Sequence, residues 1–464
     1  MDDSSATRRR SRRSIVMGGR GVVLAVAVVV AAGSCLGDSP APDPVPSTGT
    51  AARPEPGSGG DPVARSELLD RPTRGSLASD SAFVDGVRAL PWSSGGQETL
   101  PDGTTVVGPP EPPPDQRTVV FAGDVPGGRW AVVVGPIDFG AGPGVLPGTT
   151  GDPDLAAVVF TGPQGATPDQ MTNAGGVSSV PATWTPALLD PTTGTLLVVS
   201  TPGDRVEVSE RPEIAADGRG SRDYRPVETT DGIAVVRLSA RGQYNWAATF
   251  RVVRQGRPHS VLLPWSVTGS SGVVPDIPIG FPRGVPSATG RAAAAWTAEQ
   301  ILAEVGLPAT DVQVAAQWVG TMPGAEPGEV AVVTVTLPSG AVVVTAQLGG
   351  SGQAGVSSTG GICGRAVLPA GPPASRRTYA LTCEVIDVGS GGPGATNLVV
   401  VAPRNVTLVR TYGHDRTFLS EHPATDGIVV VPLPPNTVTA EALTPGGITH
   451  GRVELLGYAE SVGD

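Results

Sequence analysis

Four histidines and three cysteines are the side chains best suited to chemistry in these 464 residues. The histidines are His259, His414, His422 and His450. His414-Asp415, beside Tyr412, is the one cluster that resembles a site. His414 and His422 flank an expected hairpin and could approach each other. Metal binding, however, needs several ligands converging on one face, and no third ligand stands at suitable spacing. Solvated loop histidines are the expectation, with no metal and no cofactor. Acyl transfer would call for Gly-x-Ser-x-Gly between a strand and a helix. Gly349-Gly350-Ser351-Gly352 and Gly269-Ser270-Ser271-Gly272 depart from that pattern and read as turns. A phosphate loop ending in Gly-Lys-Ser/Thr is impossible, because all 32 basic residues are arginine. Gly151-Asp152-Pro153-Asp154 lacks the alternation of a calcium loop. Carboxylate pairs for glycoside cleavage need no sequence adjacency, so 43 acidic residues leave that chemistry open.

The cysteines are Cys35, Cys363 and Cys383. If Cys35 is otherwise engaged, the other two form an even pair, and in an oxidising compartment a disulfide between Cys363 and Cys383 is expected. The alternative is two free, buried cysteines. Metal binding through Cys and His is disfavoured, since no histidine stands at ligand spacing from either one.

The N-terminus supplies that compartment. Arg8, Arg9, Arg10, Arg12, Arg13 and Arg20 precede an apolar run from Gly21 to Ala32, and Gly33-Ser34-Cys35 follows. A charged n-region, a short apolar core and small residues make the plan of a secretory signal. The stretch Gly21 to Gly37 is also at the short limit for a membrane span. Either way, the arginines hold the N-terminal flank in the cytoplasm and the bulk lies outside. Ser11-Arg12-Arg13-Ser14-Ile15-Val16 resembles the twin-arginine export motif. Ala32-Gly33-Ser34-Cys35 resembles the bacterial lipobox, although leucine is usual where Ala32 stands. That resemblance implies a diacylated Cys35 as the mature N-terminus. An uncleaved signal anchor, with Cys35 incidental, is the other reading. In signal, composition and repeat the chain resembles uncharacterised exported proteins of actinobacteria, a resemblance that implies no activity.

Charge narrows the partners. Residues beyond 35 carry 26 of the 32 arginines and 41 of the 43 carboxylates, a net charge near −15. A body this acidic is repelled by phosphate backbones, so nucleic acid is not an expected partner.

The elements that must position any site are strands. Short β-branched runs are punctuated by Gly, Pro, Asn and Asp. Pro126-Gly127-Gly128 and Pro338-Ser339-Gly340 each turn a hairpin. Val206-Glu207-Val208-Ser209 alternates, which predicts one buried and one wet face. The body also parallels itself at a period of about 200 residues, which means duplicated domains rather than a solenoid. Val119 to Gly127 matches Ala316 to Gly324. Leu197-Val198-Val199-Ser200-Thr201-Pro202 matches Leu398-Val399-Val400-Val401-Ala402-Pro403. Thr230-Asp231-Gly232-Ile233 matches Thr425-Asp426-Gly427-Ile428. The last 60–70 residues of each unit, about 196–265 and 398–458, read as an immunoglobulin-like or fibronectin-like sandwich. Helix is sparse. Thr297-Ala298-Glu299-Gln300 reads as a capping box opening a short helix that Gly306 stops. A counterpart is expected at Ser79 to Leu90, with Phe83, Val84 and Val87 as its apolar face.

The expected fold is therefore mainly β: two tandem duplicated β-rich units, each ending in an immunoglobulin-like sandwich, with few short helices. Residues 1–35 are a signal or anchor, 36–62 a Pro/Gly/Ser tether, 63–268 the first unit, 269–290 a linker and 291–464 the second unit. The expected function is a non-catalytic, membrane-anchored extracytoplasmic protein at the cell membrane. It would bind or scaffold an envelope protein or glycan. An envelope hydrolase using fold-assembled carboxylates is the alternative. Among the aromatics, Trp318 is expected in the core. Gln243-Tyr244-Asn245-Trp246 is the best surface-contact candidate, with core packing the competing reading.

Overall fold

A computed structural model describes residues 69–92, 97–99, 105–107, 111–137, 155–181, 183–239, 247–267, 276–323, 329–349, 359–387 and 395–457. Arg12, Arg13, Cys35, the tether and Gln243–Trp246 lie outside the described residues.

The first unit opens on helix α1 (Ser81–Ala89), whose N-cap Asp80 accepts from the Phe83 amide at 3.0 Å. Phe83, Val84 and Val87 are its buried stripe, as their spacing predicts. A small hairpin, β1 (Gln97–Thr99) and β2 (Thr105–Val107), follows. Then β3 (Thr118–Val125), β4 (Gly128–Pro136), β5 (Leu155–Gly162) and β6 (Thr172–Val180) form an antiparallel meander. Val119, Ala131, Val133, Ala156 and Val158 lie under α1. Val132, Val134, Leu155 and Ala157 face the opposite way. Burial on both faces is why these strands read as unbroken valine runs rather than alternating ones.

The opposite face meets a sandwich. Its strands are β7 (Ala187–Asp190), β8 (Thr195–Val199), β9 (Arg205–Ser209), β10 (Pro212–Ile214), β11 (Gly220–Arg222), β12 (Arg225–Val227), β13 (Ile233–Arg237), β14 (Thr249–Arg254), β15 (Arg257–Leu262) and β16 (Trp265–Ser266). One sheet runs β13-β8-β7-β16 and the other β12-β9-β14-β15, while β10 and β11 pair as a separate hairpin. Leu189, Leu196, Val198, Val206, Val208 and Phe250 fill the space between the sheets. Two four-stranded sheets thus face each other across one core, the layout of a β-sandwich.

The second half comprises β17 (Ile279–Gly280), α2 (Ala288–Val305), β18 (Gln313–Thr321), β19 (Glu329–Thr336), β20 (Val342–Gly349), β21 (Thr359–Leu368), β22 (Tyr379–Asp387), β23 (Thr396–Val401), β24 (Leu408–Tyr412), β25 (Phe418–Pro423), β26 (Ile428–Pro432), β27 (Thr439–Leu443) and β28 (Thr449–Glu454). Here the meander and the first sandwich sheet are one eight-stranded sheet, ordered β17 through β23 and then β26. It curls, so that Val330, Val332 and Val344 of β19 and β20 meet Leu381, Val399 and Val401 of β22 and β23. The other sandwich sheet runs β25-β24-β27-β28, the same order as β12-β9-β14-β15. Trp318 is half-buried and packs against the core inside the curl. The protein is thus mainly β, in several sheets, with two α-helices among the described residues.

Several expectations shift. The sandwiches begin one strand early, at β7 and β22. Residues 276–290, expected to be linker, belong to the second half: β17 pairs parallel with β18, and α2 begins at Ala288. Ser287 is the cap of α2, accepting from the Gly290 amide at 2.9 Å. Thr297 is therefore no cap. It sits mid-helix and its hydroxyl donates to the Ala293 carbonyl at 2.8 Å. The alanine-rich first turns carry no apolar contrast, so periodicity alone starts the helix too late. Gly306 does end it, with φ 63°.

The second sequence match is off by one. Val199 pairs with Ile233 and Val401 with Ile428, so Val199 corresponds to Val401 and Ser200 to Ala402. A one-residue slip would exchange the two faces of a strand. Leu197 and Val399 both face the meander, while Leu196 and Leu398 both face the opposite sandwich sheet.

Candidate binding site

A cavity of about 640 Å³ opens at one end of the curled sheet in the second half. That volume is in the range of small-molecule sites. Strands β18 and β19 give it Ala315, Gln317, Thr334 and Thr336, and β20 gives Val342. Phe281, after β17, forms one wall. The connection from β21 to β22, residues 370–377, arches over as the rim with Pro372, Pro373, Ser375 and Arg377.

The first half shows why this space is open. Val120 and Gln317 are the extra residues at matching bulges, between Val119 and Phe121 and between Ala316 and Trp318. Val134 corresponds to Thr334, since Val132 and Val332 pair with Phe121 and Trp318. Leu155 corresponds to Val342, their partners being Pro136 and Thr336. Ala187 and Ala380 pair with Val198 and Val400, so Trp184 and Arg377, three residues earlier, correspond as well. Trp265 lies parallel beside Leu188, where Leu456 lies beside Leu381. In the first half, Val120, Val134, Leu155 and the pair Trp184–Trp265, with ring centroids 4.6 Å apart and planes tilted by 31°, make one apolar cluster. The second half holds Gln317, Thr334, Val342, Arg377 and Leu456 at those positions, and a cavity beside them.

The floor is ordered by its own hydrogen bonds. Thr334 Oγ1 donates to the Ala315 carbonyl at 3.2 Å and accepts from Gln317 Nε2 at 2.8 Å. Gln317 and Thr334 are both buried. The Gln317 carbonyl in turn accepts from Arg283 Nε at 2.8 Å. At the rim, Arg377 Nε donates to the Pro372 carbonyl at 2.7 Å and Nη1 to the Pro369 carbonyl at 2.8 Å. Tyr379 lies beneath, fully buried, its hydroxyl donating to the Ala374 carbonyl at 2.8 Å. Burial pushes that phenol well above its ordinary pKa, against the opposing pull of Arg377. No carboxylate stands among the described lining residues.

The residues singled out in the sequence lie elsewhere. His259, His414 and His450 are exposed. His414 sits in the turn after β24, and His422 pairs across the ladder with Val409. Five residues of strand, on the order of 17 Å, therefore separate them, and the two histidines do not meet. His422 Nε2 contacts the Ser420 hydroxyl at 2.8 Å, and burial lowers its pKa. No group of three or more metal-ligating side chains occurs among the described residues. Cys363 and Cys383 stand opposite each other on β21 and β22 at disulfide distance, with sulfurs 2.11 Å apart. They lie in the core inside the curl, away from the cavity lining.

A smaller groove of about 370 Å³ in the first half holds Glu210, Glu213 and Asp223 with Arg211 and Arg225. Glu210 accepts from the Ser239 amide at 3.0 Å, and Asp223 pairs with Arg225 at 2.9 Å. Glu207, on β9, was expected on a wet face but is buried. Arg251 and Arg205 cover it, donating to Oε2 and Oε1 at 2.6 and 2.8 Å. Burial would raise that carboxyl, but the two arginines outweigh it and hold it low. Arg251 also lies over the Tyr224 ring, as Arg452 lies over Tyr412.

Sequence reasoning missed Gln317, Thr334 and Arg377. The signal was available in the alignment of the two halves: a buried valine replaced by glutamine beside an aromatic that stays aromatic. No family model matches the chain, and no curated protein matches it significantly.

Proposed function

We propose that this chain is a non-catalytic, membrane-anchored extracytoplasmic protein, built from two duplicated units, that binds a ligand of the cell envelope in the cavity of its second unit. One observation carries the binding reading: the positions of Val120, Val134 and Trp184, an apolar cluster in the first unit, are held by Gln317, Thr334 and Arg377 around a cavity in the second. A buried polar side chain costs stability unless it is hydrogen-bonded, and Gln317 Oε1 has no protein donor among the described residues. Matching strand orders, matching bulges and two Asp-Gly turns at the same place support the duplication.

The test refills the cavity. Gln317→Val with Thr334→Val restores the first unit's residues and should raise the melting temperature. It should also abolish binding of any small molecule that the wild-type chain selects from a soluble-fragment panel. Retention of that binding would sink the assignment. The anchor is tested separately, by the intact mass of membrane-extracted protein. A diacylated Cys35 at the N-terminus is expected, and an unprocessed Met1 would leave an uncleaved membrane anchor.

The observation that favours the hydrolase reading is the groove that holds Glu210, Glu213 and Asp223 together. Turnover of chromogenic glycosides by the wild-type chain, lost in Glu210→Gln, would favour that reading.

A further inference from the structure

We infer that the second unit's cavity takes a saccharide bearing a carboxylate, a uronic-acid type of sugar, with its carboxylate at Arg377 and a ring hydroxyl on Gln317. The inference rests on the proposal that this cavity is a binding site, and it adds the chemistry of the occupant.

Charge is the first argument. The whole chain carries a net charge of −11, yet no carboxylate stands among the described lining residues. Arg377 is the one charged side chain among them. The cavity therefore attracts anions on a molecule whose surface repels them.

The geometry of that arginine is the second. Nε and Nη1 are engaged by the Pro372 and Pro369 carbonyls, which fixes the guanidinium plane. Nη2 has no hydrogen-bond partner among the described residues. One open donor edge on a pre-oriented guanidinium suits a single carboxylate oxygen. A phosphate dianion would need more positive charge than one half-engaged arginine provides.

The floor supplies the third. Thr334 gives its hydrogen to Ala315 and accepts from Gln317 Nε2. The amide orientation of Gln317 is therefore set by the network. Its Oε1 has no protein donor among the described residues, so it calls for an O–H or N–H from the occupant. Thr336 and Ser375 add hydroxyls that both donate and accept, as sugar hydroxyls do. Phe281 and Pro372 give flat apolar walls for the C–H face of a ring.

Titration calorimetry on the full chain in detergent, at low ionic strength, tests this with three probes: trigalacturonate, maltotriose and glucose 6-phosphate. Trigalacturonate should bind about tenfold or more tighter than either of the others. Arg377→Gln should bring trigalacturonate down to the maltotriose level. Because Arg377 also holds the rim, Thr336→Glu serves as a second variant. It places a negative charge in the cavity without touching that loop, and should weaken trigalacturonate more than maltotriose. Equal binding of maltotriose, preference for glucose 6-phosphate, or indifference to both variants would each overturn the inference. So would no binding by any of the three. If the refilled Gln317→Val, Thr334→Val chain still loses a fragment that wild type binds, only the sugar chemistry falls. If refilling changes no binding at all, the cavity assignment falls with it.

Discussion

Arg74 and Arg283 do the same work in the two halves. Arg74 Nη1 donates to the carbonyls of Ser200 and Asp231, and Arg283 to those of Ala402 and Asp426. Each guanidinium ties the segment before its helix to the Asp-Gly turn of a sandwich more than a hundred residues away. Burial lowers the pKa of both, and nearby carboxylates, Asp231 for Arg74 and Asp426 for Arg283, pull the other way. The turn itself needs glycine. Gly232 and Gly427 have φ of 75° and 76°, and an added Cβ would stand 2.4 Å from the carbonyl oxygens of Ser200 and Pro403. Gly427→Ala should therefore cost about 1–3 kcal/mol in urea unfolding. A change under about 0.5 kcal/mol would mean the turn relaxes freely. The Asp-Gly pairs were legible in the sequence, because positive-φ turns have a fixed chemistry. The arginines that clasp them were not, because a side chain bonded to distant carbonyls leaves no local pattern. Glu299 was misplaced for a related reason. It sits buried on α2 with neither carboxylate oxygen bonded, and burial raises its pKa. A raised carboxyl favours the fold while protonated, and that contribution is lost as pH rises from the unfolded value through the folded one. Glu299→Gln should thus match wild type near pH 4 and exceed it in melting temperature at pH 7.5. Parallel melting curves across that range would refute the burial of a charge.

Among the elements, β21 and β22 differ most from their counterparts. In the first half β6 and β7 lie in separate sheets, whereas β21 and β22 pair from Thr359–Asp387 to Cys363–Cys383 and join the meander to the sandwich. Pairing ends at the cysteines. Beyond them Leu456 enters between the strands, its amide donating to the Ala380 carbonyl and its carbonyl accepting from Thr382. Gly364 lets it pass, since a Cβ there would overlap the Leu456 carbonyl. The cysteine pair thus sits at disulfide distance where the ladder opens, and a bridge there closes a loop of 20 residues. Reduction in denaturant, followed by refolding with the thiols blocked, should lower stability by about 3 kcal/mol. No loss would mean the flanking ladders hold the junction alone. Most strands here were legible from valine runs between Gly and Pro. The start of α2 was not, because its first turns are alanine-rich and its last turns, from Thr297 on, are buried nearly all round, which removes the 3.6-residue contrast that marks a surface helix.

At the scale of the molecule, the two halves of the chain also differ by one hairpin. Between the third and fourth sandwich strands the second unit has a short turn through His414–Arg416, whereas the first has the hairpin β10–β11. That hairpin reaches the other unit. Ile214 packs against the core under α2, and the Ala216 carbonyl accepts from the Ala370 amide at 2.7 Å. An added Cβ at Gly218 would lie 3.2 Å from the Val367 carbonyl. Ala370 is a rim residue of the cavity. The loop that holds Arg377 is therefore braced by the neighbouring unit, and no sequence pattern announces such a brace, because it is a single backbone hydrogen bond between chain segments 154 residues apart. Replacing the hairpin tip, residues 215–219, with Asn-Gly would keep the two strands joined while removing the acceptor of Ala370. Native-state hydrogen exchange should then speed up at the Ala370 amide, and calorimetry should separate one cooperative transition into two. Ligand affinity should fall through a faster off-rate, because a loosened rim must be ordered again on binding. An Ala370 amide as protected as in wild type would show that the rim holds its shape without the first unit, and the hairpin would then be a contact with no mechanical consequence.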